Sequence, residues 1–381
     1  MPHPPLRADN RSRDAPPSQR NTDVHHLYRS LRLRTPCRHR RRCCRAAIGG
    51  NYAFVLTGFC VLASWGVFAA TGNTFGLDYL AFGPFMGPHV AFAGGVAAAI
   101  YARYRGRLGD GKDVNTPLAG IGHPDILCVG AAFGIVGYVC QIGISNIPWF
   151  GKHTDPVALT VLLSGLLARL IFGGVPGKGL FHGSLHNPEL FHENATSFPA
   201  KIKPGPNGRW LEWQEKPSQL LTIGSLFGIF AGGASLFLAA NVGAYLTTRG
   251  LANTLAAANA NSFCFGISAV IILFLITNRN MPVQHHVTNI AGLAAVQFFP
   301  LLMGKTFTTY HWTYTSSWDS HTWGMATVAL VIAAFFGVFT AGLGEFCARL
   351  WYDRGTSHID PPAAAIWLGN TVVVSLATLF S

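Results

Sequence analysis

The chain has 381 residues, of which 50% are hydrophobic and only 12% are charged, with 43 glycines and 22 prolines. Soluble domains carry about 25% charged residues, so this composition excludes an ordinary soluble protein and favours helices that face lipid. The formal net charge is +12, but residues 1–46 hold twelve arginines and three aspartates, which places nine of these charges in one tail. The remaining residues are nearly neutral overall, so the net charge does not indicate a nucleic-acid-binding surface.

The basic segment 1–46 lacks apolar periodicity, so we expect a disordered tail. Its arginine cluster, Arg38–Arg45, directly precedes the first apolar segment. Positive charge next to a spanning segment is retained on the cytoplasmic side. The sequence therefore predicts a cytoplasmic N-terminus in the plasma (inner) membrane.

Nine apolar stretches follow, each of about 20 residues, the length that crosses a bilayer. They lie at 52–71, 80–102, 125–147, 156–174, 219–247, 257–278, 286–304, 323–350 and 361–380. The pattern predicts an all-α fold, a polytopic transmembrane bundle of about nine helices. We divide it into a first transmembrane half, 47–174, a cytoplasmic connecting loop, 175–218, and a second transmembrane half, 219–381. The basic loop clusters all fall on one side, which predicts an external C-terminus.

One motif occurs twice at the start of a predicted helix. His153-Thr154-Asp155-Pro156 opens the fourth helix and His358-Ile359-Asp360-Pro361 opens the ninth. In the predicted topology these helices enter the membrane from opposite faces, which favours an inverted repeat of helices one to four and six to nine. A looser copy, His123-Pro124-Asp125, would fit a parallel duplication instead.

The repeated motif has two interpretations. Asp is a favoured helix cap and Pro a favoured first helical residue, so the motif can be helix-start chemistry alone. Alternatively, helix N-termini attract polar solutes, and an Asp–His pair can accept a cation or a proton. The layout is similar to that of aquaporins, whose two Asn-Pro-Ala half-helices enter from opposite faces. Asp replaces Asn here, and nine helices do not fit that family.

Further polar residues lie within the apolar segments. His89 follows two prolines in the second segment, and Asn289 and Gln297 lie in the seventh. Such residues line solute pathways or join helices through hydrogen bonds. Arg169 is predicted to extend toward the membrane surface, as long basic side chains do.

Fifteen histidines also suggest a metalloenzyme. His182, His186 and His192 are candidate metal ligands in the connecting loop, but the histidine boxes of membrane desaturases are incomplete here. No nucleotide-binding fingerprint occurs, and we predict no cofactor. The favoured interpretation is a permease or channel-like transporter for a small solute or ion, in contact with the lipid bilayer, using secondary transport through a midplane cavity. The alternatives are a histidine-ligated membrane metalloenzyme and a non-catalytic scaffold subunit.

Overall fold

The computed structural model describes residues 47–173, 210–277, 279–353 and 355–381. Within these ranges the structure is helical and contains no strand beyond an isolated bridge between Gly111 and Ser357. The main helices are α1 (Gly50–Thr71), α2 (Ala91–Tyr104), α3 (Pro124–Ser145), α4 (Pro156–Ala168), α5 (Pro217–Thr248), α6 (Leu255–Ile276), α7 (His285–Leu302), α8 (Ser320–Cys347) and α9 (Pro361–Leu379). The predicted tail and most of the connecting loop lie outside the described residues.

Seven of these helices, all except α2 and α7, are long and apolar enough to cross a membrane. The helix α4 reaches the necessary length only by continuing through a π-helical turn, Arg169–Gly173. The predicted all-helical membrane architecture is confirmed to that extent. The sequence predicted about nine such helices, and two of its apolar stretches form something different.

The second predicted segment is broken rather than continuous. It begins with a π-helical turn, Gly76–Ala81, and α2 starts only at Ala91. Pro84 and Pro88 lie between these two elements, and a proline removes a backbone donor and clashes with the preceding turn. The 14 residues of α2 rise about 21 Å, less than the roughly 30 Å of a hydrocarbon core.

The helix α7 lies in the interior of the bundle. Its first turns carry His285, His286, Thr288 and Asn289, and all four are buried. It packs against α5, α6, α8 and α9. A helix with so many polar groups at one end is stable in an apolar bundle only where neighbouring helices shield it from lipid.

Small residues let the helices pack closely. A Cβ on Gly58 of α1 would lie 2.9 Å from the carbonyl oxygen of Gly266 on α6, and one on Gly94 of α2 would lie 2.6 Å from that of Gly130 on α3. Such contacts are typical of membrane helices. Large apolar side chains point outward instead, among them Phe335, which is 64% exposed. A surface of this kind is compatible with contact with lipid.

The packing partners follow a regular pattern. In the first half, α1 contacts α2, α2 contacts α3 and α4, and α3 contacts α4. In the second half, α6 contacts α7, α7 contacts α8 and α9, and α8 contacts α9. Between the halves, α1 packs against α6 and α4 against α9. Each contact within one half thus has a counterpart in the other half.

Candidate functional site

The helices α4 and α9 both begin at an aspartate that caps the helix. Asp155 Oδ1 accepts a hydrogen bond from the backbone N–H of Ala158 at 2.8 Å, and Asp360 Oδ2 accepts one from Ala363 at 2.8 Å. A proline follows each aspartate, where its missing N–H leaves no helical bond unmade. Each carboxylate keeps further capacity, since an ionised carboxylate offers about four lone-pair sites.

A central cavity of about 280 Å³ lies beside both caps, and Asp155 and Asp360 are both part of its wall. The helix α9 contributes a stripe at helical spacing, formed by Asp360, Ala363, Ile366 and Asn370. Ten residues of α-helix rise about 15 Å, so this stripe makes the cavity long, with Asp360 at one end.

The helices α4 and α9 run antiparallel along the cavity. Thr154, next to the first capping aspartate, has its Oγ1 2.9 Å from Oγ1 of Thr371, in the middle of α9. Gly165, in the third turn of α4, packs beside Ile359, next to the second capping aspartate; a Cβ on Gly165 would lie 3.6 Å from Ile359 Cα. The two aspartates are therefore separated by about 15 Å along the helices and occupy opposite ends of the cavity.

The helices α6 and α7 give the cavity a polar wall. Asn261 Nδ2 donates to Asn289 Oδ1 at 2.6 Å, and the indole N–H of Trp65 donates to Ser262 Oγ at 2.8 Å. His285, at the start of α7, lines the cavity and is 5% exposed. Its Nδ1 has no hydrogen-bond partner among the described residues. Because an unpaired buried polar atom costs free energy, this nitrogen weakens the packing at the start of α7.

Four phenylalanines, Phe54, Phe82, Phe92 and Phe265, form the aromatic part of the wall. The ring centroid of Phe54 lies 5.8 Å from that of Phe92 and 5.7 Å from that of Phe265, in edge-to-face arrangements. The same ring lies 4.7 Å from the imidazole of His285. Aromatic and polar walls thus meet at Phe54.

A smaller cavity of about 50 Å³ adjoins the central one, because the two share wall residues that include Asp360 and His285. His358 lines this smaller cavity, and its Nε2 lies 3.3 Å from Asp360 Oδ1. Trp210, from the segment before α5, also lies on the wall, and its backbone N–H donates to Asp353 Oδ1 at 3.1 Å. The segment before α5 therefore covers the Asp360 end of the site.

Two further contacts hold this end together. Gln214 donates to the carbonyl of Val283 at 2.9 Å and accepts from its N–H at 3.0 Å, which fixes the loop before α7. Arg169 donates from Nε to Ser357 Oγ at 2.6 Å and from Nη2 to Ser357 O at 2.7 Å. The prediction that Arg169 extends to the membrane surface is wrong, since it is 1% exposed and the loop before α9 supplies its acceptors inside the protein.

The loop between α2 and α3 joins the same region through Lys112. Its Nζ lies 4.5 Å from the ring centroid of Tyr352. Burial lowers the pKa of Lys112 to about 8, while the nearby carboxylates of Asp110 and Asp353 act in the opposite direction. The side chain therefore remains mainly an ammonium at neutral pH.

The structure brings together four of the seven predicted pathway residues. Asp155, Asp360 and Asn289 lie on the wall of the central cavity, and His358 lies on that of the adjoining one. Two of them come from helix caps and one from the polar start of α7.

The other three predicted pathway residues lie elsewhere, and none is part of either cavity wall. The ring of His153 stacks on Trp149 with centroids 4.3 Å apart, and its Nδ1 lies 2.7 Å from the Trp149 carbonyl oxygen. His89 is fully buried, with its ring 6.3 Å from that of Tyr138. Gln297 is half-buried on α7. The predicted pathway role of His153, His89 and Gln297 has no support from this geometry.

Sequence reasoning missed five polar wall residues: Thr154, Asn261, Ser262, His285 and Asn370. A usable signal existed for Asn370, which lies ten residues after Asp360 on the same helical face as the cap. His285 directly precedes His286 at the start of α7, and this pair gives no signal of which ring faces a cavity. Its place on the wall depends on how α7 packs, which no local pattern encodes.

The candidate metal ligands His182, His186 and His192 lie outside the described residues. Within the ranges that the structure describes, no group of three or more His, Cys, Asp or Glu side chains could hold a metal ion. The site is therefore built from carboxylates, amides, imidazoles and aromatic rings.

Comparison with known proteins adds a family but no activity. A family model matches residues 43–381, which is most of the chain. Searches of curated proteins and of solved structures found no match. The chain therefore belongs to the family described as a family of unknown function, DUF7973.

Proposed function

We propose that the chain is an integral plasma-membrane permease that carries a small solute or ion through the central cavity by secondary transport. One observation carries this proposal: two helices from different halves of the chain open with the same motif, and both capping aspartates lie on the wall of one cavity. In transporters with duplicated halves, the solute site lies where the halves meet and where helix ends point inward.

An inverted repeat is part of the proposal. Helices α1–α4 would correspond to α6–α9, with α5 as the connector, and the matching packing partners of the two halves support this register. A second sequence echo supports it as well. His89-Val90 and His286-Val287 are each followed by the same pattern, a glycine at Gly95 or Gly292 and then paired alanines at Ala97-Ala98 or Ala294-Ala295. The first copy spans the two residues before α2 and the start of that helix, and the second lies at the start of α7; the repeat would make these two helices equivalent.

The proposed orientation keeps the N-terminus cytoplasmic and the C-terminus external. All nine predicted segments would then cross the membrane, α2 and α7 doing so with help from the non-helical residues before them. In this arrangement Asp155 lies toward the external end of the cavity and Asp360 toward the cytoplasmic end. A solute would pass from one carboxylate to the other.

The test does not require the substrate to be known. All eight cysteines are replaced, and one cysteine is introduced on the cavity wall by Val157→Cys. Alternating access predicts that a membrane-impermeant thiol reagent reaches this cysteine from the outside of cells and also from the outside of inverted vesicles. Ala329→Cys serves as the control, since Ala329 is fully buried and not part of the cavity wall, and it should stay unlabelled.

Labelling of Val157→Cys from one face only would indicate a pocket that is open to one side, as in a receptor. Labelling from neither face would indicate a closed scaffold protein. Either result would overturn the transport proposal.

A further inference from the structure

We propose that the central cavity binds an elongated aliphatic cation that carries an ammonium group at each end. This inference rests on the proposed transport role of the cavity and names the class of its substrate.

The charge of the cavity wall is the first argument. Asp155 and Asp360 line the cavity, and no lysine or arginine does so among the described residues. The positive N-terminal ends of α4 and α9 do not favour an anion here, because each already faces its own capping carboxylate. The wall is therefore suited to positive charge.

The spacing of the two carboxylates is the second argument. About 15 Å of helix separates the capped ends, so a compact cation can reach only one of them. Each carboxylate keeps acceptor capacity beyond its cap bond and, at Asp360, beyond its contact with His358, and a solute with two charges can use this capacity at both ends. Ammonium–carboxylate hydrogen bonds of about 2.8 Å at each end leave roughly 9–10 Å between the two nitrogens. An extended chain advances about 1.2 Å per bond, which corresponds to about seven carbons.

The cavity wall between the two carboxylates suits the alkyl chain of such a diamine. The rings of Phe54, Phe92 and Phe265 offer apolar contact to methylene groups and favourable faces to an ammonium. His285 also lies on the cavity wall, where its ring centroid is 4.7 Å from that of Phe54 and adds a polar group beside the aromatic lining. A bare metal ion fits less well, because the described residues bring no three metal-binding side chains together.

The experiment measures protection of Val157→Cys, in the cysteine-free chain, against the thiol reagent. The probes are α,ω-diamines from 1,3-diaminopropane to 1,10-diaminodecane, with heptylammonium, 1,7-heptanediol and heptanedioate as matched comparisons. We expect diamines of about seven or eight carbons to halve the labelling rate at concentrations at least tenfold below that needed for heptylammonium. The diol and the dianion should not protect.

Charge-removing variants test the two ends separately. Asp155→Asn and Asp360→Asn keep the helix caps, because Asn caps as well as Asp. Each should weaken protection by 1,7-diaminoheptane at least tenfold, to the level of the monoamine. Asp319→Asn is the matched control: Asp319 caps α8 by accepting from Thr322 at 2.8 Å, is exposed, and does not line the cavity.

The outcomes separate the two proposals. Labelling from both faces without any preference for diamines over heptylammonium would overturn the substrate class and leave transport standing. One-sided labelling with strong diamine protection would overturn transport and leave the binding site standing. Protection by heptanedioate would overturn the charge argument itself.

Discussion

A single buried side chain, Arg169, fixes the start of the helix that carries the second capping aspartate. Two of its hydrogen bonds go to Ser357, three residues before Asp360. The guanidinium fork matches a hydroxyl and a carbonyl from one residue, which a lysine ammonium cannot reproduce at the same place. The position of Asp360 in the site thus depends on a residue that does not touch the cavity.

Arg169→Lys should destabilise the protein by about 2–4 kcal/mol, because it removes the fork and leaves a buried charge with fewer partners. Ser357→Ala should cost about 1–2 kcal/mol, since it removes the hydroxyl acceptor and keeps the carbonyl acceptor of the same residue. The midpoint of denaturing-detergent unfolding measures both. Arg249→Lys, at an exposed position, should shift it by less than about 0.5 kcal/mol. An unchanged midpoint for Arg169→Lys would show that the paired hydrogen bonds from the guanidinium to Ser357 do not contribute to stability.

The residues of the repeated motif show what sequence can and cannot predict at this scale. The capping role of both aspartates follows from local chemistry, and the structure confirms it. The two histidines are equivalent in sequence but not in structure. A short helix, Phe150–His153, turns His153 toward Trp149, whereas His358 lies in a loop that faces inward. Side-chain direction was set by packing that the motif does not contain.

At the scale of elements, α2 and α7 differ in how closely they approach a neighbour. A Cβ on Gly95 of α2 would lie 2.8 Å from the Cα of Gly50, so the backbone of α1 would have to move. A Cβ on Gly292 of α7 would lie 2.5 Å from Ser235 Oγ, a side-chain atom that can rotate away, and its nearest backbone atom would be Asn261 Cα at 3.2 Å. The first approach is rigid and the second can adapt.

Gly95→Ala should therefore cost about 1–3 kcal/mol, as overpacking against backbone does, and Gly292→Ala less than about 1 kcal/mol. Gly342→Ala is the matched control, because Gly342 is an exposed position of α8 and a Cβ there would meet nothing within 4 Å. This substitution should stabilise the helix by up to about 1 kcal/mol, since alanine has the higher helix propensity. Unfolding midpoints of the three variants give the comparison. Equal losses at Gly95 and Gly342 would contradict the packing argument.

The number of spanning helices also shows that a local sequence pattern does not determine how a segment folds and packs. Counting apolar residues finds stretches that can enter a bilayer, but it does not test whether a stretch forms one continuous helix. The prolines before α2 interrupt the second stretch, and the polar first turns of α7 place the seventh in the interior. Both differences involve helices of the candidate site, and broken helices with polar ends are the elements that form binding sites in transporters.

For the whole molecule, hydrogen bonds between loops show which of them share a face. One set joins the loop between α2 and α3 to the starts of α1 and α9, as in the bonds from Asn51 to Val114 and from His358 to Gly111. At the other face, Asn253 donates to the carbonyl of Trp312 at 2.9 Å and joins the loop after α5 to the loop after α7. The first set contains the loops whose basic residues predicted the cytoplasmic side.

The proposed repeat, with four helices in each half and α5 as the connector, has a topological consequence. In it, four crossings would return the chain to its starting face, and the single crossing of α5 would then invert the second half. The proposed repeat therefore requires the loop before α4 and the loop before α9 to lie on opposite faces.

A cysteine-free chain carrying Lys152→Cys or Lys305→Cys should be labelled by an impermeant maleimide on intact cells. Arg107→Cys should be labelled only after permeabilisation, because basic loops stay inside. If Lys152→Cys and Arg107→Cys report the same face, α3 does not cross the membrane and the inverted repeat is wrong.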